Sequence, residues 1–317
     1  MRCVSLLALA ALSGPTPVRE VFIFGLGYTG ARIAAAVRRA HPQVPVTGTT
    51  RAARSPVAGA DIAVFDGGTL SDDALQALQR ASHVVSTIPP GPDLSDPVLP
   101  LLRSAGPSEA HAWFGYVSTT SVYGDHGGAW VTEESEARAP AGSAGAARLL
   151  IEQEWREAAR QQGCVAHVFR AAGIYGPGRS LVPLVQQLGP VAAVASCGGD
   201  APVSRVHVDD LAGAIAACMR LGQASVCEVW NVADHWPAPR AEVARYTALA
   251  LFRGAPRSLP AGRAPRPGLQ RASRRGKERK RVCGDRLRER AGYAFRYPSY
   301  HSGVDAIVAA GGDARAP

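Results

Sequence analysis

The chain has 317 residues, 46% of them hydrophobic, and a formal net charge of +9. That apolar content supports one large α/β domain, or a nucleotide-binding domain with a smaller lobe, and excludes a disordered chain. The six cysteines (Cys3, Cys164, Cys197, Cys218, Cys227 and Cys283) form no CxxC pair and no Cys/His cluster at metal spacing. This argues against a zinc site and a disulfide framework and fits a reducing compartment.

Residues 1–19 begin MRCVSLLALAALSGPTP, one early positive charge followed by an apolar run of signal-peptide length that is too short to span a membrane. The segment reads either as an Ala/Leu-rich extension or as a targeting peptide. The expected location is therefore cytoplasmic, or organellar if residues 1–19 are an address, and no membrane association is expected.

From there to residue 170, short apolar runs alternate with helical patterns, the signature of repeated βαβ units and a parallel sheet. Strands are predicted at 21–25 (VFIFG), 44–49, 61–66, 82–88, 113–119 (WFGYVST) and 165–170. Helices are predicted at 28–40, 71–81 and 146–161, where apolar residues recur at helical spacing. After Arg170 follow a YGPG turn, a strand-like RVHV, a helix DDLAGAIAACMRL, a strand CEVWNVA, a helix near 239–252 and a terminal helix in RYPSYHSGVDAIVAAG. The expected fold is α/β: a doubly wound parallel sheet (Rossmann) over 20–175, with 176–317 giving the remaining sheet edge and a small C-terminal lobe on the substrate side.

The basicity is local. Residues 253–290 hold 14 Arg/Lys against 3 Asp/Glu, or +11, which leaves −2 for the rest of the chain. The Pro-, Gly- and Arg-rich stretch 253–281 reads as a solvated, mobile loop with few large apolar groups to bury. No aromatic side chain interrupts it for base stacking, so no nucleic-acid partner is expected.

FGLGYTGARIA places Gly25, Gly27 and Gly30 as G-x-G-x-x-G between the first strand and first helix. Gly25 serves the tight turn, Gly27 lets backbone N–H groups approach a pyrophosphate, and Gly30 allows close helix packing; Tyr28 and Thr29 lie between them on the loop. At the end of the second strand, TGTTRAAR offers Thr50 and Arg51 and no carboxylate before Asp61, which favours the 2′-phosphate of NADP(H) over NAD(H). Arg51 as a plain exposed arginine remains the alternative. Asp66 either accepts a hydrogen bond from the adenine amino group or is a turn residue.

Taken in order, FIFGLGYTG, GTTR, STTSVYGDHGG, FRAAGIYGPGR, RVHVDD and NVAD resemble the NAD(P)-dependent epimerase/dehydratase-like proteins of the short-chain dehydrogenase/reductase superfamily, nearest its atypical branch, over residues 20–310 or so. The resemblance implies a catalytic Ser/Thr after the fifth strand, at Thr119 with Ser118 and Thr120 beside it, and a Tyr-x-x-x-Lys pair on the next helix. Here those two positions hold Ala144 and Arg148. Since the chain has only two lysines, Lys277 and Lys280, the pair is absent. Arg148 preserves a cation for the nicotinamide ribose but supplies no phenol. Replacement acid–base groups are sought in Tyr123, Tyr175, His126, His207 and Asp209, with Tyr123 and Thr119 as the catalytic candidates; Asp209 or Asp210 also fits a helix cap. Two functions stay open. One is an NADP(H)-binding oxidoreductase or epimerase-like enzyme with a non-standard site, acting on a small carbonyl or sugar-derived substrate. The other is a non-catalytic NADP(H) sensor.

Overall fold

The computed structural model describes residues 17–221, 227–252 and 279–312. In chain order the elements are β1 (Val21–Phe24), α1 (Tyr28–Ala40), β2 (Val46–Thr50), β3 (Asp61–Val64), α2 (Asp72–Arg80), β4 (His83–Ser86), α3 (Leu99–Ala105), β5 (Trp113–Thr119), a 3-10 turn (Thr120–Tyr123), β6 (Trp130–Val131), α4 (Ala144–Gln161) and β7 (Val165–Ala171). Then come β8 (Gly173–Tyr175), α5 (Val182–Leu188), α6 (Pro190–Cys197), β9 (Arg205–His207), α7 (Val208–Cys218), β10 (Cys227–Val232), α8 (Arg240–Leu251), β11 (Arg281–Val282), α9 (Asp285–Ala291) and α10 (Tyr300–Ala309).

Seven parallel strands form the central sheet in the order β10-β7-β5-β4-β1-β2-β3. The order reverses between β1 and β4, and in such sheets ligands bind outside the carboxyl ends of the strands at that reversal. The expected doubly wound sheet is therefore present. Two-residue periodicity explains its two cores. Val21 and Ile23 of β1 face one side with Ile33 and Val37 of α1 and Leu211 and Ile215 of α7. Phe22 and Phe24 face the other with Leu78 of α2, Leu102 of α3 and Ile151 and Trp155 of α4. Helix α4 begins two residues before its predicted start because Ser143 caps it, accepting from the N–H of Ala146 at 3.2 Å.

Beyond the sheet, α5, α6, α8 and α10 pack into a helical lobe through residues such as Val185, Ala193, Val243 and Val304. Two small parallel pairs, β6–β11 and β8–β9, lie outside the main sheet. Of the basic stretch, 253–278 falls outside the described residues, as do 1–16 of the N-terminal segment. Residues 279–281 correct the loop reading: Arg281 opens β11, and the backbone carbonyl of Arg279 accepts from His126 and Gly128. No helix among the described residues is long and apolar enough to cross a membrane.

Candidate active site

The glycine loop is built as its spacing requires. Gly25 has φ +89°, and its N–H donates to Thr49 Oγ1 at 2.9 Å while its carbonyl accepts from Thr87 Oγ1 at 2.7 Å. A Cβ on Gly30 would lie 2.0 Å from the Gly25 carbonyl oxygen, so only glycine lets α1 approach the strand end this closely. A Cβ on Gly27 would meet nothing within 4 Å. Gly27 is thus not needed for packing, and the space above it is open. It stands at the N-cap of α1, which has no side-chain cap and no acid in its first turn. Those N–H groups and the open face above Gly27 fit a dinucleotide pyrophosphate.

Around the loop, Thr29 is part-buried in the first turn of α1. Tyr28 leans on the YGPG turn, where its hydroxyl is 2.7 Å from a Cβ built on Gly176 and the Arg179 guanidinium carbon lies 5.7 Å from its ring centre. Thr50 Oγ1 donates to the Ala52 carbonyl at 2.7 Å, and Arg51 is exposed at the strand end. Asp66 is exposed and accepts from the Gly68 N–H at 3.1 Å, which is the turn arrangement. Arg148 Nη1 donates to the Val117 carbonyl at 2.7 Å, holding its guanidinium against β5.

The hydroxyl-rich end of β5 divides by the alternation of the strand. Ser118 points to the α4 face, is buried, and donates to Glu152 Oε1 at 2.6 Å. Glu152 in turn holds Arg170, with Nη2 to Oε2 at 2.8 Å, and both are nearly inaccessible. Thr119 points the other way: its Oγ1 accepts from the Ser121 N–H at 3.2 Å and donates to Ser121 Oγ at 3.1 Å, capping the 3-10 turn.

Tyr123 requires a correction. Its side chain is fully buried; the hydroxyl donates to Asn231 Oδ1 at 2.8 Å and accepts from Arg170 Nη1 at 3.0 Å. Burial pushes its pKa up despite the neighbouring guanidinium. A phenol with both bonding directions used inside the core neither reaches a substrate nor becomes a base, so Tyr123 is a structural link between the β5 end and β10.

The other acid–base candidates are also engaged. His207 caps α7, its Nδ1 accepting from the Asp209 N–H at 3.2 Å, and burial lowers its pKa to about 4. Asp209 lies 3.3 Å from Arg32 and ties α7 to α1. Asp210 is buried and accepts from the N–H groups of Arg296 and Tyr297 and from the Tyr293 hydroxyl. Tyr175 donates to the Ser299 carbonyl at 3.4 Å, while half-buried His126 bonds the Glu136 carbonyl at 3.2 Å.

A cavity of about 190 Å³ opens beside Thr119. Thr119, Thr120 and Ser121 form one wall and Ala172 and Gly173, just past β7, another; Ser204 and Val282 close it together with Lys280. Lys280 and Ser204 were not legible as site residues in the sequence. Lys280 lies in a run whose composition reads as solvent-facing, and its only local signal is the short apolar pair that follows the charges.

A G-x-G-x-x-G cradle at the reversal of a parallel sheet, with a hydroxyl-lined cavity on the same carboxyl edge, defines a dinucleotide-binding protein of the Rossmann class. The model of the NAD dependent epimerase/dehydratase family matches residues 94–233, and a functionally unknown conserved protein from Silicibacter pomeroyi DSS is 31% identical, with 92% of this chain and 99% of that one covered at a TM-score of 0.71. The chain belongs to the NAD dependent epimerase/dehydratase family. The fold is shared with UDP-N-acetylglucosamine 4-epimerase from Bacillus cereus (16% identity, 91% and 97% coverage, TM-score 0.66). It is shared also with dTDP-glucose 4,6-dehydratase from Bacillus anthracis in complex with NAD (15% identity, 92% and 96% coverage, TM-score 0.66). No curated protein matches the chain.

Proposed function

We propose that this chain is an NADP(H)-dependent oxidoreductase or epimerase-like enzyme that acts on a small carbonyl or sugar-derived compound held in the cavity beside Thr119. The observation that carries this reading is the placement of Thr119 and Ser121 on a cavity wall at the carboxyl edge of the sheet that bears the glycine cradle. Gly25, Gly27, Tyr28, Thr29 and Gly30 would hold the pyrophosphate, Thr50 and Arg51 the 2′-phosphate side, and Arg148 the nicotinamide ribose. The nicotinamide, when bound, supplies or accepts a hydride. Thr119, whose hydroxyl donates to Ser121 Oγ, would set the Ser121 hydroxyl to donate to the substrate carbonyl and polarise it. Residues 20–175 would form the cofactor domain and the rest the substrate side.

The absence of the Tyr-x-x-x-Lys pair and the burial of Tyr123 favour a second reading, a non-catalytic NADP(H)-sensing protein. Consumption of NADPH followed at 340 nm over a panel of small aldehydes, ketones and oxo acids separates the two. Turnover that falls in Thr119→Ala supports the enzyme; saturable cofactor binding with no turnover on any compound supports the sensor.

A further inference from the structure

Asp234 ends the NVAD segment just past β10 and is fully buried. Its N–H donates to the Arg205 carbonyl at 2.6 Å, and its Oδ1 accepts from the Trp236 N–H at 3.1 Å, which fixes the turn toward α8. Oδ2 has no hydrogen-bond partner among the described residues. An unpaired oxygen of this kind is costly in a buried carboxylate and far less so in a neutral carboxyl group. Arg205 acts on Asp234 as a nearby charge, but its Nη1 donates to the carbonyls of Val203 at 2.7 Å and Ala238 at 2.8 Å. Those carbonyls belong to a clamp. Val203 and Ala238 also exchange backbone hydrogen bonds at 3.1 and 3.3 Å, and Pro202, Val203 and Ser204 line the cavity beside Thr119. Arg205 therefore ties the cavity wall to the segment that leads into α8.

The other charged and titratable groups around Asp234 leave Arg205 as the partner for its ionised form. From β8 comes Tyr175, whose pKa burial pushes up, so its phenol stays neutral. From α7 comes Asp210, which already accepts from the N–H groups of Arg296 and Tyr297 and from the Tyr293 hydroxyl. On the same turn, His235 Nε2 lies 4.0 Å from Asp285. Arg240 of α8 and Tyr300 of α10 stand beside Arg205.

We propose that Asp234 and Arg205 form a pH-operated latch on the cavity: with Asp234 protonated, Arg205 clamps Val203 to Ala238, and loss of that proton to solvent draws the guanidinium to Oδ2 and releases the clamp. The latch is a property of the chain, and its bearing on a substrate rests on the proposed function. In the clamped form burial raises the Asp234 pKa from the usual 3.8 to about 7, against the Trp236 N–H and the Arg205 charge. In the released form the facing guanidinium lowers it. The released share therefore grows as pH rises to about 7 and levels off above that value.

The test follows amide exchange of Val203 and Ala238 by NMR in 15N-labelled full-length protein from pH 5 to 8. Rates are corrected for intrinsic base catalysis, with the β1 amides as the reference for global unfolding. Protection of the two amides should fall at least about tenfold between pH 5 and 7 and then level off. In Asp234→Asn, which cannot ionise, it should stay level. Protein labelled with 13C at the aspartate carboxyl reports the proton itself: an aspartate should titrate above pH 6, and its signal should be missing in Asp234→Asn. Level protection in the parent, the same fall in Asp234→Asn, or no aspartate titrating above pH 6 would overturn the inference. The first and last are read on the parent, so they decide even if the variant fails to fold. NADPH consumption on the same samples keeps the readings apart. A pH-dependent latch in protein that turns over no carbonyl compound sinks the proposed function alone, and turnover with level protection sinks this inference alone.

Discussion

Gly27 and Gly30 stand three residues apart in one loop, yet the structure assigns them opposite sensitivities. At Gly30 an added Cβ would come within 2.0 Å of the Gly25 carbonyl oxygen, so Gly30→Ala must push α1 off the end of β1 or distort the turn. Overpacking of this kind costs about 1–3 kcal/mol, and the obstacle is backbone and does not yield easily. At Gly27 a Cβ meets nothing, and the backbone there, φ −78° and ψ −155°, suits any residue. Gly27→Val should therefore leave the urea midpoint close to the parent's, while its side chain fills the space proposed for the pyrophosphate. Affinity for NADPH, read by fluorescence titration, should fall by more than about 100-fold, or roughly 2.7 kcal/mol. A Gly27→Val protein that binds NADPH normally would refute the assignment of this loop. So would a Gly30→Ala protein as stable as the parent.

Arg51→Ala should weaken NADP(H) selectively by roughly 1–3 kcal/mol and leave NAD(H) unchanged; equal parent affinities for the two cofactors by calorimetry would contradict the preference. Tyr123→Phe should lower stability by about 1–3 kcal/mol, because Asn231 Oδ1 and Arg170 Nη1 lose a buried partner, with NADPH affinity retained; a variant of parental stability would show that link to be dispensable. Burial depresses the pKa values of His83 and His167 from the usual 6.5 to about 4 and about 3, so the unfolded chain takes up these protons first. Their contribution is thus complete above about pH 6.5 and lost as pH falls toward 4, and urea midpoints measured across that window should drop steadily rather than stay level.

The N-terminal half was legible because its signals are local. Helix α1 spans the predicted 28–40 and β5 the predicted 113–119, each an apolar pattern bounded by glycine or polar residues. The missed helices α3, α5, α6 and α9 are only seven or eight residues long, too short to show a period, and all but α9 carry proline in the first turn. The hydroxyl cluster was legible as a cluster but not in its division. That Tyr123 meets Asn231, 108 residues away, and that Ser118 meets Glu152 are facts of tertiary packing. Lys280 was hidden for the same reason, since composition marks its segment as solvated while its ammonium lands on Gly124, 156 residues earlier.

Whether the β5 hydroxyls serve a cofactor-dependent reaction is decided by following NADPH at 340 nm with a panel of small carbonyl compounds. The native protein should consume NADPH, and Thr119→Ala should slow that consumption by about 100-fold or more with NADPH affinity unchanged. No consumption by the native protein on any compound, with reductase activity appearing only after Ala144→Tyr and Arg148→Lys restore the absent pair, would contradict that role.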